Sequence, residues 1–159
     1  MKLNQKAFTL TELLVVVLLI GFLASMVLPK FSKVIESYRL MEAEQMMSAV
    51  RGEQERRCHL DKTYANRGNQ LSVLPANGVT EDGYESSYFT YQFVFDQSAH
   101  IAGMTATDKK TNVILEMPSF ADGRICCDNC QDLNKSYPDC TSLVTETEGF
   151  ELPPADCYP

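Results

Sequence analysis

Phe8 to Leu28 reads FTLTELLVVVLLIGFLASMVL, a stretch whose only charged side chain is Glu12. Within it, Leu13–Leu28 is apolar except for Gly21 and Ser25. A helix of about 20 residues spans the roughly 30 Å hydrocarbon core of a bilayer. Lys2 and Lys6 are the only charged side chains ahead of Glu12. Basic residues before an apolar run hold that end in the cytoplasm. The segment therefore predicts one membrane span, with Met1–Lys6 inside and Lys30 onward outside. No second long apolar run follows, so the chain crosses once at most. A charge within a span costs about 2.5–3.5 kcal/mol on insertion scales, which makes Glu12 a functional residue by default.

Three explanations compete for this segment. A secretory signal cut near Ala24-Ser25-Met26 is one, but an acid at the head of the apolar run is foreign to such signals. A plain membrane anchor is the second, and it leaves Glu12 without a purpose. The third starts from the mutual spacing of several residues in and around AFTLTELLVVV (Ala7–Val17). The segment resembles the class III signal of type IV pilins and pseudopilins. In that family a short basic leader is cut before a Phe or Met. A Glu is then the fifth residue after the cut, a Gly commonly the fourteenth and a Pro commonly the twenty-second. Phe8, Glu12, Gly21 and Pro29 match those positions. Two departures stand out: Ala7 where the family usually has Gly before the cut, and Thr11 where an aliphatic residue usually precedes the Glu. The resemblance covers about residues 6–40; the rest fits the family in architecture only.

Past Pro29 the helical pattern continues. Phe31, Val34, Ile35, Tyr38, Met41, Met46, Ala49 and Val50 recur at spacings near three and four, predicting one apolar stripe. Seven basic and six acidic residues interleave from Lys30 to Lys62. The pattern predicts one helix from about Thr9 to Cys58, bent where Pro29 lacks a backbone donor. The expected organisation is a leader at 1–7, an apolar membrane and polymerisation helix at 8–29, its amphipathic continuation at 30–58 and a globular head at 59–159. In the head, turn residues Gly68, Pro75, Asn77-Gly78 and Asp82-Gly83 mark 59–87 as loop. Tyr88–Phe95 alternates and is rich in aromatics, a strand pattern. His100–Thr107, Asn112–Met117 and Gly123–Cys127 are further strand candidates, with a turn at Asp108–Thr111. The sheet would occupy about 88–127 as an antiparallel meander packed on the helix stripe, an α+β fold. The tail, 128–159, has little periodicity and contains four Pro.

Composition narrows the function classes. The chain has 159 residues, 45% apolar and 22% charged, with net charge −7. From Gly68 to Pro159 there are 14 acids and 4 bases, so the head carries the negative charge. That balance argues against direct nucleic-acid contact, and no basic residues interleave the aromatic strand to make a base-stacking platform. There is no G-x-S-x-G, P-loop or H-E-x-x-H, and nothing supports catalysis.

The six cysteines are Cys58, Cys126, Cys127, Cys130, Cys140 and Cys157. Cys127-Asp-Asn-Cys130 is a C-x-x-C, but a zinc site wants a second pair at ligand spacing and His59 and His100 are distant in sequence. A thioredoxin-like site wants a βαβ context, which is lacking. An exported head with an even cysteine set predicts structural disulfides, of which six cysteines allow 15 connectivities. Cys126 and Cys127 are expected to reach different partners, and one bridge is expected to tie the tail to the sheet or to Cys58. Asp122, Asp128, Asp132 and Asp139 form a loose acidic group. It matches no EF-hand spacing, which leaves a solvated loop as the default and calcium as the alternative. No metal or cofactor is expected.

The resemblance implies a structural subunit of a type IV pilus-like filament, a homo-oligomer that is not an enzyme. It waits in a bacterial inner membrane, contacting lipid, with its N-terminus cytoplasmic. A prepilin peptidase cuts between Ala7 and Phe8, Phe8 is N-methylated, and a platform protein with an extension ATPase drives assembly into a surface pilus. Glu12 would meet the α-amine of a neighbouring subunit, and the apolar sides of Leu13–Leu28 would supply most of the assembly energy. Gly21 and Pro29 would bracket a weak stretch of helix. The alternatives are a pseudopilin of a type II secretion system, which forms a periplasmic pseudopilus, and a non-polymerising single-span periplasmic protein. Mass analysis of the mature N-terminus is expected to begin at methyl-Phe8; a chain beginning at Ser25 or Met26 would mean an ordinary signal peptide.

Overall fold

The computed structural model describes residues 9–99, 101–130, 137–141, 143 and 149–159, with only the backbone at 29, 30, 32 and 33. One helix, α1, runs from Leu10 to Asp61. Five strands follow: β1 (Gly83–Glu85), β2 (Phe89–Asp96), β3 (Ile101–Asp108), β4 (Ile114–Met117) and β5 (Cys126–Asp128). They form one antiparallel sheet in sequence order, as a meander joined by short turns must. Short 3₁₀ turns lie at Gly68–Gln70 and Ala155–Cys157. The chain divides into two units, one ending at Leu40 and one beginning at Met41.

The second unit holds the core described here. Ala43, Met47, Val50, Gln54 and Cys58 are buried, at the three- and four-residue steps of one helix face. Phe89 and Tyr91 of β2, Met104 and Ala106 of β3, and Leu115 and Met117 of β4 are buried on one side of the sheet. Period-2 alternation puts Thr90, Gln92, Val94, Thr105 and Glu116 on the other. Tyr64, Phe95 and Phe120 cluster their rings at one end of this core, with centroids 5.4–6.4 Å apart.

Polar side chains of α1 hold the loops that follow it. Gln54 is fully buried and answers both backbone groups of Ala65: its Nε2 donates to the carbonyl at 2.8 Å and its Oε1 accepts the N–H at 2.7 Å. Arg51 donates to the Phe120 and Ala121 carbonyls, both at 2.7 Å. A Cβ at Gly123, where φ is +77°, would run into that guanidinium. Glu53 accepts from Ser72 N–H, Ser72 hydroxyl and Val73 N–H at 2.9–3.0 Å. Burial opposes its ionisation, but those three donors outweigh burial and leave its pKa lowered. The helix ends as Lys62 turns to φ 59°, its N–H bonding the Cys58 carbonyl at 3.2 Å.

Two expectations are corrected. The 59–87 segment is not loop throughout, because Gly83–Glu85 pairs with Thr90–Gln92 as β1. Asp82-Gly83 has turn chemistry, and pairing with a long neighbouring strand overrides it. The apolar stripe also differs. Phe31, Val34, Ile35, Tyr38, Met41 and Ala49 are exposed, and Met46 is half-buried; Val50 alone of that set reaches the core. The buried face instead runs through Ala43, Met47, Val50, Gln54 and Cys58, and Gln54 is polar, which an apolar-only pattern overlooks.

Gln54→Leu strips partners from two buried backbone groups, each costing about 1–3 kcal/mol when unpaired. The urea midpoint of the detergent-solubilised chain is expected to fall by an amount worth about 2 kcal/mol or more. Met47→Ala, a cavity in the same face, is expected to cost about 2–5 kcal/mol by the same measurement.

Candidate functional site

The N-terminal end of α1 is closed by its own side chains. Thr9 N–H and Thr9 hydroxyl both donate to Glu12 Oε2, at 2.9 and 2.8 Å. Glu12 N–H returns to Thr9 Oγ1 at 3.3 Å. This is a capping box, in which residues three apart satisfy backbone donors that the first helical turn leaves open. A carboxylate here also faces the positive end of the helix dipole. Glu12 Oε1 takes no partner among the described residues. The carboxylate is thus oriented and half engaged.

Beyond that cap, Leu10–Leu28 forms a 19-residue segment of mean hydropathy 2.5, with none of it buried. Leu13, Val17, Ile20, Leu23 and Leu28 are 55–68% exposed. Ser25, its one hydroxyl past Thr11, donates to the Phe22 carbonyl at 2.7 Å, which satisfies it inside an apolar surrounding. At Gly21 a side chain would meet nothing within 4 Å, so the helix is open there. Pro29 lies within α1. Ala7 and Phe8 fall outside the described residues.

At the other end of the chain three disulfides gather the tail. Cys58, in the last turn of α1, joins Cys157 across 99 residues of sequence, with Cα atoms 5.3 Å apart. Closing so long a loop is worth about 4–5 kcal/mol in the chain-entropy model. Cys126 joins Cys140 and Cys127 joins Cys130. Adjacent residues of β5 point to opposite faces, which sends this neighbouring pair to different partners. Tyr64 N–H bonds the Cys157 carbonyl at 2.7 Å beside the first bridge. Tyr137 hydroxyl bonds Glu44 on the helix. Burial, then this carboxylate, push the Tyr137 phenol upward.

Among the described residues, Asp122, Asp128 and Asp139 form no cluster of ligand atoms. Asp122 is bound two-pronged by Arg124, Nε to Oδ1 at 2.8 Å and Nη2 to Oδ2 at 2.9 Å, and accepts Glu151 N–H at 3.0 Å. Arg124 also donates to the Gly149 carbonyl at 2.8 Å, so the pair ties the chain end to the turn after β4. Asp139 Oδ1 accepts Thr141 N–H at 2.9 Å. Asp132 lies outside the described residues, as does His100. Glu116, Cys126 and Cys140 bring a carboxylate and two sulfurs together, but both sulfurs belong to one disulfide and offer no thiolate. Thr9, Arg51, Gln54 and Arg124 were not singled out by the sequence; of these, only Thr9-x-x-Glu12 has a recognisable pattern.

Burial opposes ionisation of Asp122, yet the Arg124 guanidinium with the backbone N–H groups of Glu151 and Arg124, the latter 3.1 Å from Oδ1, prevail and its pKa is lowered. A carboxyl depressed on folding stabilises above its unfolded pKa of about 3.9 and loses that contribution as pH falls through the folded value. The exchange protection factor of Glu151 N–H, the measured rate set against the intrinsic rate at the same pH, is expected to fall below about pH 4, and in Asp122→Asn already at neutral pH. Non-reducing peptide mapping is expected to return the three pairs above; free thiols or bound zinc would contradict them.

Compared with known families, residues 2–28 match the prokaryotic N-terminal methylation motif. No curated protein and no solved structure matches the chain significantly.

Proposed function

Since residues 2–28 carry the class III signal of type IV pilins and pseudopilins, we propose that this pilin-like chain is a structural subunit of a type IV pilus-like filament. Such a signal implies prepilin peptidase processing and filament assembly in general. The observation that carries the proposal is the capped, uncovered apolar helix. Leu10–Leu28 is long and apolar enough to cross a membrane and buries nothing within its own chain. In the bilayer, lipid tails cover it. Out of the bilayer, it needs other apolar helices, because exposing such a surface to water is strongly unfavourable. Copies of the same segment provide that cover, and a helical polymer results.

Glu12 sets the register in this scheme. Cleavage between Ala7 and Phe8 leaves an α-amine one helical turn from the carboxylate. Thr9 keeps its N–H and hydroxyl after cleavage, so Oε2 stays engaged and Oε1 is left to accept the ammonium of a neighbour. In a low-dielectric filament core, a subunit docked one step wrong leaves this charge unpaired, which is costly.

The test is Glu12→Ala in a host with a working assembly system. Export, disulfide formation and head folding are expected to persist, while filament yield falls at least tenfold by electron microscopy and shearing assay. Wild-type filament yield in Glu12→Ala would overturn the pairing mechanism.

A further inference from the structure

On the side of the sheet that carries Thr105 and Glu116, beside the buried cluster of Cys126, Cys140 and Leu143, lies an open groove of about 170 Å³ lined by Val94, Ile101, Met104, Thr105, Glu116, Met117 and Pro118. It is smaller than the roughly 300–1,000 Å³ of small-molecule sites, and closer to the size of one inserted side chain. Its walls are mostly apolar and it has one charge. In register, Glu116 stands opposite Thr105 on β3 and Cys126 on β5. It is half-buried, and its carboxylate takes no hydrogen bond or ion pair among the described residues. Burial first, then Asp128 two residues along β5, push its carboxyl upward. A half-buried carboxylate beside apolar walls fits a long cation, whose stem covers the walls while the charged end meets the acid.

The chain itself offers the matching cations. Arg67, Lys109 and Arg124 are paired with Glu81, Glu85 and Asp122, and Arg51 is occupied by two carbonyls. Lys62 at the helix end and Lys110 in the β3–β4 turn are exposed, and neither ammonium has a partner among the described residues. With 14 acids and 4 bases from Gly68 onward, heads brought side by side repel unless such pairs offset the repulsion.

We propose that the groove receives Lys62 or Lys110 of a neighbouring copy, the stem lying along Val94, Ile101 and Pro118 and the ammonium meeting Glu116. This rests on the filament proposed above. In the head-to-tail order of a filament this contact repeats from one copy to the next, whereas a two-fold dimer would form the same pair twice and stop.

Sheared filaments treated with a water-soluble carbodiimide, which joins a carboxylate to an amine in contact, test it directly. The expected product is an intermolecular amide from Glu116 to Lys62 or Lys110, seen as a gel ladder and located by peptide mass analysis. Detergent-solubilised monomers are expected to lack it. Glu116→Gln is expected to abolish the link. Lys62→Gln with Lys110→Gln, both at exposed positions, is expected to do the same from the other side without burden on folding. Filaments whose Glu116 joins no lysine of another copy, or joins a different protein, would overturn the groove and leave the filament standing. Failure to form filaments, seen by microscopy before any cross-linking, would overturn both.

Discussion

An apolar helix segment with no protein to cover it is the constraint from which the rest follows. Nineteen residues, Leu10–Leu28, expose their side chains all round. Water is a poor solvent for that surface, so the segment needs cover from lipid or from other apolar protein. The same helix, α1, continues to Asp61 and there supplies the buried face of a folded unit. One element thus serves two surroundings, and its composition changes along its length to suit each. The apolar part tolerates a single carboxylate because Thr9 and the helix end hold it.

The head solves a different problem. Its strands are few and its tail is poor in apolar periodicity, so burial alone leaves the C-terminal residues loosely held. Covalent and ionic ties take over. Cys58–Cys157 fixes the last residues to the end of α1. Asp122 and Arg124 fix the stretch at Gly149–Glu151. Arg51 and Gln54 reach from the helix to backbone groups that lack other partners.

Much of this was legible in the residues. The apolar segment, the long helix and strands β2–β4 follow from periodicity and charge, whereas Glu12 at its spacing from Phe8 gains meaning only through the resemblance to the pilin signal. What was not legible depended on tertiary contact. β1 is three residues long, opens on a turn-forming Gly83, and exists because Thr90–Gln92 offers it hydrogen bonds. The buried helix face runs through Gln54, whose value lies in matching Ala65, a residue that sequence spacing cannot bring near. Disulfide pairing was equally closed, since which cysteines meet depends on where β5 and the tail lie. Thr9-x-x-Glu12 was a readable capping pattern, overshadowed by the stronger signal that shares its glutamate.

The central claim is that Leu10–Leu28 finds its cover in other copies of itself. Electron cryo-microscopy of filaments assembled from the processed chain addresses it most directly. The account predicts a helical core in which each Leu10–Leu28 segment is surrounded by the same segments of neighbouring subunits, with Glu12 beside a neighbour's N-terminus. A processed chain that stays monomeric in the membrane under assembly conditions, with these side chains against lipid alone, would contradict it.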